Sequence, residues 1–378
     1  MEMQISRQSD DALRSFLQGT LDPALRRCLD AVETSELITS EAALSNQFTT
    51  LGNILLESGQ PEWLRQWLTY DLICLARRGF TFPSTGPFQT WLENQEKTKC
   101  DDPSIEIIHR APRCHLDPSF ALARIRFGLR LSEPPVPVWR ISRNMVLKET
   151  RGATEALTCL FLQKTTDILI PEVWIAFRAG DRFYMVSRYI EDAKRLDQVW
   201  SLLPEDDKVD ILVQLSKYIR QLRVVELPRT TPGPLDMDAP CTGVCFGLCE
   251  AGPFRSSRDL FNFFEYKRQV CLRFKQPAPC FDHKATFRER LAFVHQDLHP
   301  SNLLVDNKNR LYLLDWAESG CYPRAFEACA IGFQISDGVY ETSLRDLGDR
   351  ILLVVGQDDR FLRCQKSIRW ALINAPLA

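Results

Sequence analysis

Val294-His295-Gln296-Asp297-Leu298-His299-Pro300-Ser301-Asn302, followed by Leu313-Leu314-Asp315-Trp316, decides how the rest of this chain is read. An aspartate stands shortly before an asparagine, and a second aspartate closes the apolar run downstream. Between them, Asn302-Leu303-Leu304-Val305 and Arg310-Leu311-Tyr312-Leu313-Leu314 are short runs rich in strand formers. The turn residues Asp306-Asn307-Lys308-Asn309 separate them, which predicts a tight hairpin. Such a hairpin brings Asn302 and Asp315 together at its open end. Both side chains offer oxygen ligands that suit magnesium bridging nucleotide phosphates. Asp297, one loop upstream, is placed to align a hydroxyl proton. Taken singly, His-x-Asp is common in loops, and an aspartate ending a strand is commonly a turn former or a cap. Taken together, the residues supply what phosphoryl transfer from ATP needs.

The run His295-Gln296-Asp297-Leu298-His299-Pro300-Ser301-Asn302 with Leu313-Leu314-Asp315-Trp316 resembles the aminoglycoside phosphotransferase and choline kinase superfamily, whose fold is protein-kinase-like. Those enzymes often carry His-Gly-Asp-Leu-His-x-x-Asn, and Gln296 stands here at the glycine position. The resemblance implies Asp297 as catalytic base, Asn302 and Asp315 as metal ligands, ATP and Mg2+ as cofactors, and a small-molecule hydroxyl as acceptor. In style the chain is closest to the fungal members. The implied fold class is α+β and two-lobed. A helical N-terminal extension would span 1–112, a small β-rich N-lobe 113–190, and a mainly helical C-lobe with the catalytic loop 191–378.

A kinase also needs a strand lysine paired with a helix glutamate to grip the α- and β-phosphates. Val138-Trp139-Arg140-Ile141-Ser142 and Met145-Val146-Leu147-Lys148 read as two strands joined at Arg143-Asn144, with Lys148 ending the second. A helix-like run with Glu155, Leu157, Leu160 and Phe161 follows, so Glu155 falls near its start. Alone, Lys148 would pass for a solvated strand end and Glu155 for a surface charge; the downstream motif makes them a pair. Two further strands flank Gly180-Asp181, and by the resemblance the second runs into a hinge at Arg188, Tyr189 and Ile190 that meets adenine. No Gly-x-Gly-x-x-Gly precedes Lys148, where Gly128 stands alone, and no Asp-Phe-Gly or Ala-Pro-Glu element occurs. A small-molecule acceptor fits better than a protein.

The chain has 378 residues, 45% apolar and 25% charged, with a net charge of −2. That balance is ordinary for a globular protein and announces no nucleic-acid-binding face. No run reaches the roughly 18 to 20 apolar residues of a membrane span, and the first residues lack a signal-peptide core. Thirteen cysteines are therefore read as reduced thiols of a cytoplasmic protein. Cys241, Cys245 and Cys249 invite a metal reading, but no fourth ligand or nearby histidine completes one, so they are read as plain loop thiols.

Leu13, Phe16, Leu17 and Leu21, and then Trp63, Trp67, Tyr70 and Cys74, are spaced as helix faces that would pack or meet a protein partner. After Pro204, Val209, Leu212, Leu215, Ile219 and Leu222 predict an amphipathic helix with Glu205, Asp206 and Asp207 at its positive end. From Gly332 onward, six acidic and six basic residues make no strongly acidic surface for a polycationic aminoglycoside. The leading expectation is an ATP- and magnesium-dependent phosphotransferase acting on a metabolite hydroxyl. The alternative is a kinase-fold module that binds a ligand or partner without transfer.

Overall fold

The computed structural model describes residues 105–375, apart from 113, 115, 127–128, 133–135, 143, 279–285, 339 and 341. The helical stripes expected at Leu13–Leu21 and Trp63–Cys74, the turn at Arg143 and the lone Gly128 lie outside the described residues.

Strand β1, Ile105–Arg110, and everything from Leu129 onward form one compact unit. Helix α1, Pro118–Ala123, belongs to the other. The boundary thus differs from the one expected after residue 112. The Ile-rich run of β1 pairs antiparallel with a later strand, from Ile105 opposite Ala179 to Arg110 opposite Ile175, which takes it out of the extension. The run is only six residues long and follows the charged stretch Glu96-Lys97-Thr98-Lys99-Cys100-Asp101-Asp102, so it leaves little signal in the sequence.

The larger unit is α+β and two-lobed, a small β-rich lobe followed by a larger, mainly helical one. In its small lobe, the strands are β2 (Leu129–Arg130), β3 (Val138–Arg140), β4 (Met145–Thr150), β5 (Val173–Ala179) and β6 (Arg182–Arg188). Among the described residues they form, with β1, a six-stranded sheet in the order β1-β5-β6-β4-β3-β2. Lys148 does not end its strand: Glu149 and Thr150 continue the pairing with Tyr184 and Phe183. Helix α2, Thr154–Thr165, buries Glu155, Thr158, Cys159 and Leu162, the spacing of one helix face.

The large lobe opens with β7 (Lys194–Arg195), α3 (Leu196–Val199) and α4 (Glu205–Val224), whose first turn carries Glu205, Asp206 and Asp207. Its buried face is Ile211, Leu215, Tyr218, Ile219 and Leu222. Val209, expected on that face, is 47% exposed. Two apolar registers overlap on this helix, and the buried one contains Tyr218, whose hydroxyl donates to Leu311 O at 3.0 Å. Then come α5 (Ser257–Arg273), β8 (Ala292–Val294), β9 (Leu303–Val305), β10 (Leu311–Leu313), β11 (Gly320–Tyr322), α6 (Ala325–Ser336), α7 (Arg345–Val355) and α8 (Asp359–Asn374).

β9 and β10 form the expected hairpin, with Leu303 opposite Leu313. β11 pairs with β8. A side chain at Gly320 would place its Cβ 2.5 Å from Gly233 O, so only glycine lets the loop around residue 233 close on β11.

One apolar core spans both lobes, joining Leu162 and Met185 to Leu215, Leu303 and Trp316. A second, in the large lobe, packs Phe246, Phe264, Phe326 and Phe361 with cysteines. Cys241, Cys245 and Cys249 lie in that second core as free, buried thiols. Cys245 Sγ donates to Phe326 O at 3.6 Å and Cys249 Sγ to Leu372 O at 3.5 Å.

Candidate active site

Lys148 reaches the site because β4 alternates: Met145 and Leu147 are buried on one face, and Lys148 takes the other. Its Nζ lies 2.7 Å from Glu155 Oε1, in the first turn of α2, and 2.8 Å from Asp315 Oδ1, just past β10. One ammonium thus ties sheet, helix and large lobe together. Burial alone would lower the Lys148 pKa, but the flanking Glu155 and Asp315 charges outweigh it and raise it. Burial would raise Asp315, and Lys148 holds it below the ordinary carboxylate value instead. Glu155 is pushed up by burial against the pull of Lys148. Nearby, Ser319 Oγ and Thr158 Oγ1 stand 3.2 Å apart in the interior, and Arg151 Nη1 meets Glu318 Oε1 at 3.1 Å.

The loop after β8 carries Asp297. Gln296 adopts φ 64° and Asp315 φ 58°, a left-handed region that costs a residue with a side chain about 1–3 kcal/mol. At Gln296 three bonds offset that cost. Its N–H donates to Glu327 Oε1 at 3.0 Å, its Nε2 donates to Glu318 O at 2.7 Å, and the adjacent His295 N–H donates to Glu327 Oε2 at 2.6 Å. The φ explains why glycine suits this position and how glutamine persists there.

His295 braces the loop. Its Nδ1 accepts from Asp297 N at 3.2 Å, so Nε2 carries the proton and donates to Leu314 O at 2.9 Å. Burial lowers its pKa to about 4, which matches a neutral ring. His299 shapes the next turn, accepting from Ser301 N at 3.1 Å.

The Asp297 carboxylate is held by two carboxamides. Asn302 Nδ2 donates to Oδ2 at 2.8 Å, and Gln334 Nε2, from α6, donates to Oδ1 at 2.7 Å. Burial, followed by the charges of Asp315 and Glu318, pushes the Asp297 pKa up to about 7. Burial likewise raises Glu327 to about 7, against the two backbone N–H groups it accepts.

The hairpin does its expected work: Leu314 N donates to Asn302 O at 2.8 Å, so Asn302 and Asp315 stand at one end. With Asn302 Nδ2 committed to Asp297, its amide oxygen, which accepts a long bond from Ser301 Oγ at 3.5 Å, is the atom that could ligate a cation. Among the described residues, no group of three or more His, Cys, Asp or Glu is arranged to hold a metal ion. A carboxylate plus an amide oxygen fits magnesium, which is commonly held by one or two protein carboxylates together with substrate phosphates.

The hinge expectation narrows. Arg188 N donates to Glu172 O and Tyr189 N to Asn144 O, both at 2.8 Å, so these two donors are committed within the protein. Arg140 lies over the Tyr189 ring, 4.0 Å from its centre. Of the backbone N–H groups at the three expected positions, the one at Ile190 is therefore the better match to an adenine acceptor.

Residues 264–349 match a family model described as phosphotransferase enzyme family. The matched span holds Asp297, Asn302 and Asp315 and stops short of Lys148. No curated protein matches the chain. Among solved structures, aminoglycoside phosphotransferase APH(2'')-Ib with ADP bound is 15% identical, with a TM-score of 0.42 over 66% of this chain and 86% of that one. APH(4)-Ia is 16% identical, with a TM-score of 0.43 over 67% and 89%. The gentamicin complex of APH(2")-IIa is 14% identical, with a TM-score of 0.43 over 68% and 89%. Likeness of that degree carries no functional conclusion, and none of these matches bears on a fungal character.

Sequence reasoning missed Glu327, Gln334 and Glu318. Glu327 and Gln334 did leave a signal: they are the polar residues of an otherwise apolar buried helix, in Ala325-Phe326-Glu327-Ala328-Cys329-Ala330-Ile331-Gly332-Phe333-Gln334-Ile335.

Proposed function

We propose that this protein is an ATP- and magnesium-dependent phosphotransferase that phosphorylates a hydroxyl group of a small-molecule metabolite. The observation that carries the reading is the unbroken set of contacts from Glu155 through Lys148 to Asp315, beside the Asn302–Asp297 pair. Lys148, held by Glu155, grips the nucleotide phosphates. Asp315 and the amide oxygen of Asn302 hold the magnesium ion, which neutralises charge on the transferring phosphoryl group when bound. Asp297 aligns the acceptor hydroxyl and takes its proton, and its pKa of about 7 suits a base that is largely ionised just above neutrality. Adenine meets the hinge at Ile190. Buried free thiols such as Cys159, Cys241, Cys271 and Cys321 suit a reducing compartment, and a cytoplasmic setting is part of the proposal, as is a protein partner for the N-terminal region.

Against a purely binding role stands the full set of Lys148, Glu155, Asp297, Asn302 and Asp315 in one connected group. The test is a metabolite screen with the purified protein, MgATP and mass-spectrometric detection. A phosphate-mass increase on a hydroxyl compound that disappears without magnesium is the expected result. MgATP binding, read as a thermal shift, without turnover across a broad hydroxyl set would favour the binding module instead.

A further inference from the structure

Four consecutive residues of the catalytic loop are held by one helix and the turn after it. Glu327 accepts from the N–H groups of His295 and Gln296, Gln334 donates to the side chain of Asp297, and Tyr340 Oη donates to Leu298 O at 3.1 Å. Glu327 and Gln334 are two helical turns apart on α6 and so share a face. Three of these four anchors bind backbone. Gln334 alone reaches the carboxylate that would do the chemistry.

We infer that Gln334 is a positioning residue of the proposed transfer, fixing the Asp297 carboxylate from the side opposite Asn302. This inference rests on the phosphotransferase reading. With Asn302 on Oδ2 and Gln334 on Oδ1, the carboxylate is fixed at both oxygens, and the hydroxyl meets whichever lone pair is left. A neutral donor is what such a position requires. A lysine or arginine there would pair with Asp297 and quench it as a base, and a glutamate would repel it.

The cost of this arrangement is visible in the same side chain. Gln334 is 5% exposed, and its Oε1 has no hydrogen-bond partner among the described residues. A buried polar atom left unpaired destabilises the fold, and that cost offsets part of what the bond from Nε2 to Asp297 contributes. Placing a glutamine there is the kind of local conflict that marks a working site.

The test is Gln334→Met, which keeps length and removes the donor, beside Gln334→Glu and Asp297→Asn. Hydrolysis of MgATP with water as acceptor, read as ADP release, avoids the need for the natural substrate. Gln334→Met should lower kcat about ten- to a hundredfold, the range typical of outer partners that orient a working ligand. The KM for ATP should not change, and the melting temperature should stay near that of wild type, because the lost bond to Asp297 and the removed unpaired oxygen offset each other. Gln334→Glu should lose at least as much turnover. Wild-type turnover in Gln334→Met, or turnover and melting temperature falling together, overturns the positioning role while leaving an inactive Asp297→Asn, and with it the phosphotransferase reading, intact. A fully active Asp297→Asn overturns both.

Discussion

Lys148 and Asp297 face one site from opposite lobes and are held by opposite means. Lys148 lies between two carboxylates, Glu155 and Asp315, so its charge is more than compensated. Asp297 lies between two carboxamides, Asn302 and Gln334, so its charge is not compensated at all. The first arrangement fixes a cation in place and makes it indifferent to pH. The second fixes a carboxylate in place while leaving it free to take a proton. The two halves together have the polarity that transfer from an anionic donor to a hydroxyl demands.

Breaking the charged half should have the largest effect on stability. Lys148→Met leaves the buried Glu155, and the half-buried Asp315, without a counter-charge, and loss of one partner of a buried pair costs about 3–5 kcal/mol. Urea denaturation measures it; a change within error would mean that the carboxylates do not depend on Lys148. Turnover should fall with it, because the phosphates lose their grip.

The neutral half can be broken by acid. The folded-state pKa of His295 is depressed to about 4 from the ordinary 6.5, burial being the main cause. Below 6.5 the unfolded chain therefore binds the extra proton first. The stabilisation from keeping the ring neutral is complete above 6.5 and is lost as pH falls through 4. Its size is about 3 kcal/mol. The difference in unfolding free energy between wild type and His295→Gln should shrink by that order across the window, and a constant difference would show that the ring is not kept neutral.

Glu327→Gln sharpens the comparison, since it replaces the charge that anchors the loop by a carboxamide. One of the two loop N–H groups then faces an amide NH2 instead of an oxygen, at a cost of about 2 kcal/mol. Hydrogen exchange at His295 and Gln296 should accelerate; unchanged protection would mean the loop holds itself. The smallest effect belongs to Gln296→Gly. Relief of the left-handed backbone and loss of the bond to Glu318 O nearly cancel, leaving stability within about 1 kcal/mol of wild type. A large loss of turnover in this variant would show that the Gln296 side chain itself works in the site.

What the sequence made legible was local. The hairpin from Leu303 to Leu313 follows from strand formers around a turn cluster, and Glu155 falls in the first turn of a helix whose start is readable. The pairing of Lys148 with Glu155 was legible, though the strand runs past Lys148. The anchors on α6 were not found, because Glu327 and Gln334 meet the loop across more than thirty residues of chain and no local period announces such a contact. Val209 reads as core because the α4 sequence allows two apolar registers, and only tertiary packing chooses between them. The strand at Ile105–Arg110 was overlooked because it is short and follows a charged stretch.

The uncompensated carboxylate is the centre of this account, and Asp297→Asn tests it most directly. The amide keeps the shape of the side chain and removes its capacity to take a proton. With MgATP and the acceptor identified by screening, turnover should fall about a hundred- to ten-thousandfold, with the melting temperature and the KM for ATP near those of wild type. Wild-type turnover in this variant would contradict it.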